Sequence, residues 1–319
     1  MNQYKQRRKK YFKAYEWSTI YAMLKNNRKS PKICSQDFKG KTVVLTGATS
    51  GIGYLVAKEY AKHGANLICI NRNLEKSEKL KTEIENTYEV KCDYFIADLT
   101  NVEDTHNVAE HLLKIEQPID VLIHNAGVYL KKREKNAEGI EKMFMIHHLA
   151  PFIINFKLKE KLKKQGNARI ILVNSEGHRF AAWGLRLDDL NWTKRKFSGL
   201  GAYGSAKLAQ ILSTYSFTNY FKGTDVVINA MHPGAVKSET GKVNGGFYKW
   251  YKKNVLDKTL KPTSISSDAI YYLGVSEEVK DITAKFFNLT TLEEPTPPAL
   301  DTEVAEELWD ICLQMGNLN

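Results

Sequence analysis

Short apolar runs alternate with longer amphipathic segments from residue 39 onward. The runs predict strands at 42–46, 66–71, 91–97, 121–124, 169–174, 226–232 and 285–287, and the segments between them predict helices at 52–63, 74–88, 102–113, 138–164 and 203–221. Runs such as Val43-Val-Leu45 and Arg169-Ile-Ile-Leu-Val173 are apolar throughout, as in parallel strands buried on both faces. The pattern predicts one α/β domain over residues 39–319, a Rossmann-type doubly wound parallel sheet with helices on both faces.

Residues 1–38 form a separate, basic arm. Trp17, Ile20, Tyr21 and Leu24 recur at helical spacing, so the arm is predicted to contain an amphipathic helix. Its first 32 residues hold ten Lys or Arg and one acid, and therefore carry +9 of the chain's net charge of +11. Because the body is nearly neutral, nucleic acid is not a predicted partner of the enzyme core.

Three interpretations of the arm are open. A basic helix with aromatic side chains can lie on an anionic membrane surface, which would make the protein peripheral on the cytoplasmic side of a membrane such as the endoplasmic reticulum. The helix can instead dock on its own body or on a second subunit. A mitochondrial presequence is less favoured, since the arm is rich in Lys rather than in Ser and Arg. Four scattered cysteines indicate reduced thiols in a cytosol-facing protein.

A glycine-rich turn, Thr46-Gly-Ala-Thr-Ser-Gly-Ile-Gly53, separates the first predicted strand from the first predicted helix. Small residues at these positions allow a tight turn, close approach of the backbone to a pyrophosphate, and packing of the helix on the strand. The free N–H groups of the helix then face the phosphates. The residues assigned to the phosphates of a dinucleotide are Gly47, Thr49, Ser50, Gly51, Ile52 and Gly53.

The ends of the next strands supply further cofactor residues. The second strand ends in Ile70-Asn-Arg-Asn73, which lacks the acid that binds the ribose of NAD. Arg72 suits a 2′-phosphate, so NADP(H) is favoured over NAD(H). Asp98 and Leu99 are predicted near the adenine. The segment Asn125-Ala126-Gly127 is predicted near the ribose and the bend of the cofactor.

Ser175 ends the fifth predicted strand, and Tyr203 and Lys207 lie four residues apart at the start of a helix. Strand ends and helix starts meet at one edge of such a sheet, so the three side chains are predicted to share a crevice. Tyr203 would exchange a proton with a carbonyl or alcohol oxygen, and Ser175 would hydrogen-bond the same oxygen. Lys207 would lower the pKa of Tyr203 and bind the nicotinamide ribose, so Tyr203 and Lys207 are also assigned to the cofactor.

The sixth strand leads into His232-Pro233-Gly234, followed by Val236 and Ser238. Pro233, Gly234, Val236 and Ser238 are assigned to the cofactor. The turn at Pro233 and Gly234 can approach the nicotinamide, and Ser238 can reach the carboxamide or a phosphate. His232 is interpreted as a packed core residue. The following segment, 237–262, mixes aromatic and basic residues and is interpreted as a substrate lid or as a helix capping the core. His147 and His148 are adjacent and point apart on a helix, so no metal site is predicted.

Taken together, these motifs resemble the short-chain dehydrogenase/reductase family over roughly residues 40–315. Within it, the chain is similar to the branch of retinol dehydrogenases, the WW-domain oxidoreductase and a chloroplast-envelope reductase, on the segments 169–180, 202–209 and 305–309. The resemblance implies NADP(H)-dependent oxidation or reduction of a small, often lipophilic alcohol, aldehyde or ketone, and it is compatible with a homodimer. The alternative is a non-catalytic NADP(H) sensor or scaffold.

Three features depart from the family pattern. His147 stands where the family usually has an asparagine that supports a water of the proton relay. A histidine there either preserves the relay, slows it or adds its own pH dependence. The spacing from Ser175 to Tyr203 is 28 residues, longer than usual, with the extra length in 181–201. Asn174 replaces a frequent serine.

Overall fold

The computed structural model describes residues 3–234 and 264–318. Eight strands form one sheet: β1 (Thr42–Thr46), β2 (Asn66–Asn71), β3 (Cys92–Ile96), β4 (Val121–His124), β5 (Asn167–Val173), β6 (Asp225–His232), β7 (Phe286–Asn288) and β8 (Thr291–Glu293). Their order is β3-β2-β1-β4-β5-β6-β7-β8, and all neighbouring pairs are parallel except β7 and β8. The predicted doubly wound α/β fold is confirmed, and the antiparallel edge strand β8 is an addition to it.

Helices cover both faces of the sheet. They are α1 (Gln3–Ala14), α2 (Trp17–Asn26), α3 (Gly51–Lys62), α4 (Leu74–Tyr88), α5 (Val102–Lys114), α6 (Lys142–Phe144), α7 (Ala150–Gln165), α8 (Gly199–Tyr220), α9 (Ser264–Val275) and α10 (Thr302–Met315). One core packs Val43 and Leu45 of β1 against α3, α4 and α9. The other packs Val44 against α5, α7, α8 and α10. Alternate side chains of β1 therefore enter different cores, which explains its unbroken apolar run.

The helix predicted at 138–164 begins later and is interrupted. Glu141 caps it, since its carboxylate accepts hydrogen bonds from the backbone N–H of Met143 and Phe144. A π-helical turn over Met145–Leu149 then precedes α7. Pro151 near the start of α7 has no N–H to give, so the regular bonding pattern is already broken at this point.

The arm was predicted to contain one amphipathic helix, but it forms two helices, α1 and α2, and both pack on the body. Tyr11 is buried and its hydroxyl donates to Asp301, the N-cap of α10, at 2.9 Å. Arg7 pairs with Glu307 on the same helix. In α2 the buried residues are Met23 and Asn26.

The helical face that carries Trp17 and Tyr21 points mostly to solvent, since these side chains are 83% and 73% exposed. None of the helices in residues 3–234 and 264–318 is both long and apolar enough to cross a bilayer.

Candidate active site

The turn after β1 forms a glycine-rich cradle at the start of α3, of the kind that binds a pyrophosphate. Gly47 and Gly51 have φ angles of +72° and +57°, in the left-handed region that favours glycine. A Cβ on Gly53 would overlap the carbonyl oxygen of Gly47, so the start of α3 can approach the turn only with glycine there. Ser50, the N-cap of α3, makes no side-chain capping bond, which leaves the first N–H groups of the helix available to an anion.

Thr46 and Asn125 hold this cradle in shape. The Asn125 side-chain amide donates to the carbonyl oxygens of Thr46 (3.1 Å) and Gly47 (3.0 Å). The backbone N–H groups of Asn125 and Ala126 both donate to Thr46 Oγ1 at 3.0 Å. Both donor hydrogens of the Asn125 amide are therefore used to fix the turn. Thr46, which the sequence analysis did not assign to the site, is the centre of this junction.

Arg72 and Asn71 lie at the end of β2. Arg72 is exposed and has no hydrogen bond or ion pair with the residues that the structure describes. Asn71 is 3% exposed and its Oδ1 accepts from the Ala48 N–H at 2.8 Å. Its Nδ2 is a buried donor with no partner in the described part of the chain. A cradle with an orphaned amide donor and a free guanidinium beside it fits a nucleotide ribose phosphate. Asn71 was not predicted as a site residue, because asparagine at a strand end also serves turns.

The other described residues that the sequence assigned to a cofactor lie at the same edge of the sheet, each after the carboxyl end of a strand. Thr49, Ser50 and Ile52 follow β1, Asp98 and Leu99 follow β3, Ala126 and Gly127 follow β4, and Pro233 and Gly234 follow β6. Asp98 is partly engaged locally, because its Oδ1 accepts from the N–H and the hydroxyl of Thr100 at 2.9 Å each. Val236, Ser238 and the segment 237–262 lie outside the described residues.

Ser175 and Tyr203 meet at Gly177. A Cβ on Gly177 would lie 2.5 Å from Tyr203 Cε1 and 3.3 Å from Ser175 Oγ, so both side chains border the same space. Ser175 caps the 3₁₀ turn Glu176–Ala181, since its Oγ accepts from the Gly177 N–H at 3.0 Å. The hydroxyl hydrogen of Ser175 is thereby left to donate elsewhere.

Lys207 is buried one helical turn beyond Tyr203. Its ammonium donates to the Val173 carbonyl oxygen (2.6 Å) and to Gln210 Oε1 (3.4 Å), and it lies 5.8 Å from the centre of the Tyr203 ring. Burial lowers the pKa of Lys207 to about 7. The Lys207 amine is therefore only partly protonated near neutral pH.

Asn174 connects the strand that carries Ser175 to the helix that carries Lys207. Its Oδ1 accepts from the Ser175 N–H at 2.7 Å. Its Nδ2 donates to the Lys207 carbonyl oxygen (2.9 Å) and to Gln210 Oε1 (2.7 Å). The residue noted as a departure from the family pattern is therefore the connection between the two elements of the site.

The His147 ring stands perpendicular to the Tyr203 ring, with centroids 5.2 Å apart. Its Nε2 bonds the Val128 carbonyl oxygen at 2.8 Å, so Nε2 carries the ring hydrogen and Nδ1 is an acceptor. Nδ1 is buried without a partner among the described residues. Burial, and next the charge of Lys207, lower the pKa of His147 well below its usual range. His147 therefore stays neutral, and a pH dependence of its own is not expected.

Behind Ser175 lies a buried cluster of three charged side chains. Arg179 Nε pairs with Glu176 at 2.5 Å, and its Nη2 pairs with Glu293 of β8 at 2.9 Å. Glu293 also accepts from the side-chain amides of Asn26 (2.9 Å) and Asn288 (3.2 Å). The Glu176 and Glu293 carboxyl groups share one guanidinium here, a pairing that the sequence analysis did not predict.

Comparisons with known proteins identify the family of this chain. The family model of the short chain dehydrogenases matches residues 41–184, which include the cradle and Ser175. Retinol dehydrogenase 13 of Homo sapiens is 33% identical over 277 residues, covering 85% of this chain and 82% of that protein. The chain belongs to the short-chain dehydrogenase/reductase family. Its members are oxidoreductases that use a nicotinamide cofactor and act on small molecules.

Within the family, this short-chain dehydrogenase/reductase lies in the retinol dehydrogenase-like branch. Retinol dehydrogenase 12 of Mus musculus is 30% identical over 279 residues, covering 86% of each protein. Among solved structures, a short chain dehydrogenase of Shigella flexneri complexed with NADP superposes with a TM-score of 0.61 at 20% identity, covering 80% of this chain and 99% of that one. At that identity the superposition shows the shared fold.

Stability should depend on pH through Glu293. Burial, and next the charge of Glu176, raise the pKa of Glu293 from 4.5 to about 7. Between these values the folded protein holds a proton that the unfolded chain has released, so this contribution to stability falls as pH rises through the window. The fall is at most about 3 kcal/mol. We expect the Tm of Glu293→Gln to fall less than that of the wild type between pH 4.5 and 7.5, as followed by thermal denaturation.

The exposed neighbour Glu294 supplies the matched control, and Glu294→Gln should follow the wild-type curve. Parallel curves for the wild type and Glu293→Gln would contradict the assignment of the raised pKa to Glu293.

Proposed function

We propose that this enzyme transfers a hydride between NADP(H) and the carbon of a carbonyl or alcohol group. The observation that carries the proposal is that Ser175 and Tyr203 border the same space at Gly177, with the Lys207 amine 5.8 Å from the centre of the Tyr203 ring, at the edge of the sheet that also carries the phosphate cradle. The nicotinamide supplies or receives the hydride. The protein's own residues then hold the substrate oxygen and exchange a proton with it.

In the direction of reduction, Tyr203 donates its phenolic proton to the substrate oxygen as that oxygen gains negative charge. Ser175 donates a second hydrogen bond to the same oxygen, since the bond it accepts from Gly177 N–H leaves its own hydroxyl hydrogen available. Lys207 has two hydrogens directed to protein acceptors, so one remains for a ribose hydroxyl. Carbonyl, hydride and proton together make the alcohol, and oxidation runs the same steps in reverse.

His147 supports catalysis rather than the alternative of a sensor or scaffold. A neutral imidazole with a free Nδ1 offers a hydrogen-bond acceptor beside Tyr203, where the family's asparagine would support a water. The side chain adds no charge that would oppose the ammonium of Lys207. Binding of NADPH without turnover on any carbonyl compound would favour the non-catalytic alternative.

Two observations support NADP(H) over NAD(H). Arg72 is exposed at the end of β2 with no partner among the described residues, and the Nδ2 of Asn71 beside it lacks an acceptor. A 2′-phosphate would supply negative charge and acceptor oxygens to both groups. NADP in the fold-related Shigella flexneri protein is consistent with this preference.

The arm's exposed side chains support a lipophilic substrate reached from a membrane surface on the cytoplasmic side. Of twelve large apolar side chains exposed in the described part of the chain, five lie in the arm: Phe12, Trp17, Tyr21, Leu24 and Ile33. Two more, Phe180 and Trp183, lie between Ser175 and Tyr203 in the chain. An aromatic surface next to a net charge of +9 is complementary to an interface of anionic lipids.

Replacing the proposed acid tests the mechanism. Tyr203→Phe removes the proton donor but keeps the ring, so we expect kcat for carbonyl reduction to fall by about 10²–10⁴-fold. The measurement is NADPH oxidation across a panel of aldehydes and ketones. Tyr215→Phe, three turns further along α8, is the matched control and should retain its rate. Unchanged turnover of Tyr203→Phe would overturn the assigned role.

Replacing Arg72 tests the cofactor. Loss of a charge-assisted bond to phosphate costs about 1.5–3 kcal/mol, so Arg72→Ala should weaken NADPH binding roughly 10–100-fold. NADH binding should change little. Fluorescence titration of both cofactors measures this, with Lys76→Ala, an exposed cation of the neighbouring helix, as the control. Equal losses for NADPH and NADH would argue against recognition of a 2′-phosphate by Arg72.

Vesicle binding tests the membrane surface. Because the arm packs on the body, point variants are preferable to its deletion. The double variant Trp17→Ser, Tyr21→Ser should sediment with phosphatidylserine-containing vesicles at least about tenfold more weakly than wild type. Leu113→Ser removes an exposed apolar side chain elsewhere and should have no effect. Equal sedimentation of the double variant and the wild type would remove the membrane proposal.

A further inference from the structure

Helix α2 of the arm ends at the charged cluster behind Ser175. Asn26, the last residue of α2, is 7% exposed and donates to Glu293 Oε2 at 2.9 Å. The next residue, Asn27, accepts from the Asn288 amide at 2.7 Å, and that amide also donates to Glu293. The arm therefore provides part of the hydrogen bonding that a buried carboxylate requires.

Glu293 transmits this contact to the turn that begins at Ser175. Its Oε1 accepts from Arg179, whose Nε is held by Glu176, the residue directly after Ser175. The 3₁₀ turn Glu176–Ala181 is thus fixed from outside by a side chain of β8. Since the Oγ of Ser175 caps this same turn through Gly177, the orientation of the hydroxyl depends on where the turn lies.

His178 makes a second connection from the same turn. The Thr296 N–H donates to its Nε2 at 3.3 Å, so the ring hydrogen is on Nδ1 and bonds the Ser175 carbonyl oxygen at 2.9 Å. Burial lowers the pKa of His178 to about 3, which keeps the ring neutral and this pattern intact. The turn that begins at Ser175 is therefore tied at two points, to Glu293 of β8 and to Thr296 of the segment after β8.

The arm also packs on the extra segment between Ser175 and Tyr203. A Cβ on Gly184 would lie 3.3 Å from Cδ2 of Tyr11 and would overlap the edge of that ring. Phe12 and Trp183 have ring centroids 6.0 Å apart, and the Arg8 guanidinium lies 5.4 Å from the Trp183 ring. The arm thus contacts both the turn's charged cluster and the segment that follows it.

We propose that the N-terminal arm is a positioning element of the active site, which fixes the Ser175 turn through Asn26, Glu293 and Arg179. The proposal rests on the proposed role of Ser175 in binding the substrate oxygen. None of the three positioning residues belongs to the set that we assign to substrate or cofactor. Their effect on the reaction comes from the geometry of Ser175, where displacement by about 1 Å can cost roughly 10²-fold in rate.

The test compares Asn26→Leu with Tyr21→Ser in the full chain. Asn26→Leu leaves Glu293 one hydrogen bond short, whereas Tyr21 lies on the exposed face of the same helix. For Asn26→Leu we expect at least tenfold faster hydrogen exchange at the amides of 176–181 and at least a fivefold lower kcat on a water-soluble carbonyl compound. The Kd for NADPH should stay within twofold, since the cradle is remote from β8. Tyr21→Ser should match wild type in all three measurements.

Two further variants separate positioning from damage to the fold. Asn26→Ser keeps a short donor and should give an intermediate effect if Asn26→Leu fails to fold. Arg179→Lys keeps the charge but cannot bond Glu176 and Glu293 in the same forked geometry, so it should lower kcat with the same unchanged Kd for NADPH. The proposal would be overturned if Asn26→Leu left hydrogen exchange at the amides of 176–181 unchanged. It would also be overturned if Asn26→Leu weakened NADPH binding by the same factor as it lowered kcat. Because exchange is measured without a substrate, it remains decisive even where no carbonyl compound is reduced.

Discussion

The geometry of the site depends on the hydrogen bonds made by the Asn174 side chain. It accepts from Ser175 N–H and donates to the carbonyl oxygen of Lys207 and to Gln210, so one side chain joins the end of β5 to the helix α8. A serine at this position could not span all three partners. With Asn174 buried, each bond would be costly to leave unmade, by about 1–3 kcal/mol. The strand that carries Ser175 and the helix that carries Tyr203 are therefore held in one arrangement before any ligand binds.

Two unusual features of the sequence have a single structural explanation. The basic arm and the long segment between Ser175 and Tyr203 pack on each other, through Tyr11 against Gly184 and Phe12 against Trp183. Part of the arm's positive charge is used in this docking, since Arg7 and Lys10 pair with Glu307 and Asp301. The remaining cations and the exposed aromatic rings form the outer surface. One element can thus support the site on its inner side and present a basic aromatic surface on its outer side.

Local sequence patterns were sufficient for the parallel sheet and for the edge at which the site forms. Strands buried on both faces are apolar runs, and the ends of parallel strands meet at one edge whatever the details of packing. The same patterns could not show β8, which is three residues long, or that α2 buries Met23 and Asn26 and exposes Trp17. They also could not show the bond from Asn26 to Glu293, because its partners are 267 residues apart. Such contacts follow from the tertiary fold, which periodicity alone does not specify.

The buried Lys207 links the electrostatics of the site to its ligand. Desolvation lowers its pKa to about 7, and the neutral His147 beside it neither repels nor neutralises the ammonium. An anionic dinucleotide bound in the cradle would favour the protonated form of this amine, because opposite charges lower the cost of burying the ammonium. By linkage, protonation of Lys207 would then favour binding of the dinucleotide to the same degree. In the proposed mechanism, Lys207 would therefore become fully protonated when the cofactor binds, and its charge would then assist Tyr203. The free enzyme need not hold an uncompensated buried ammonium.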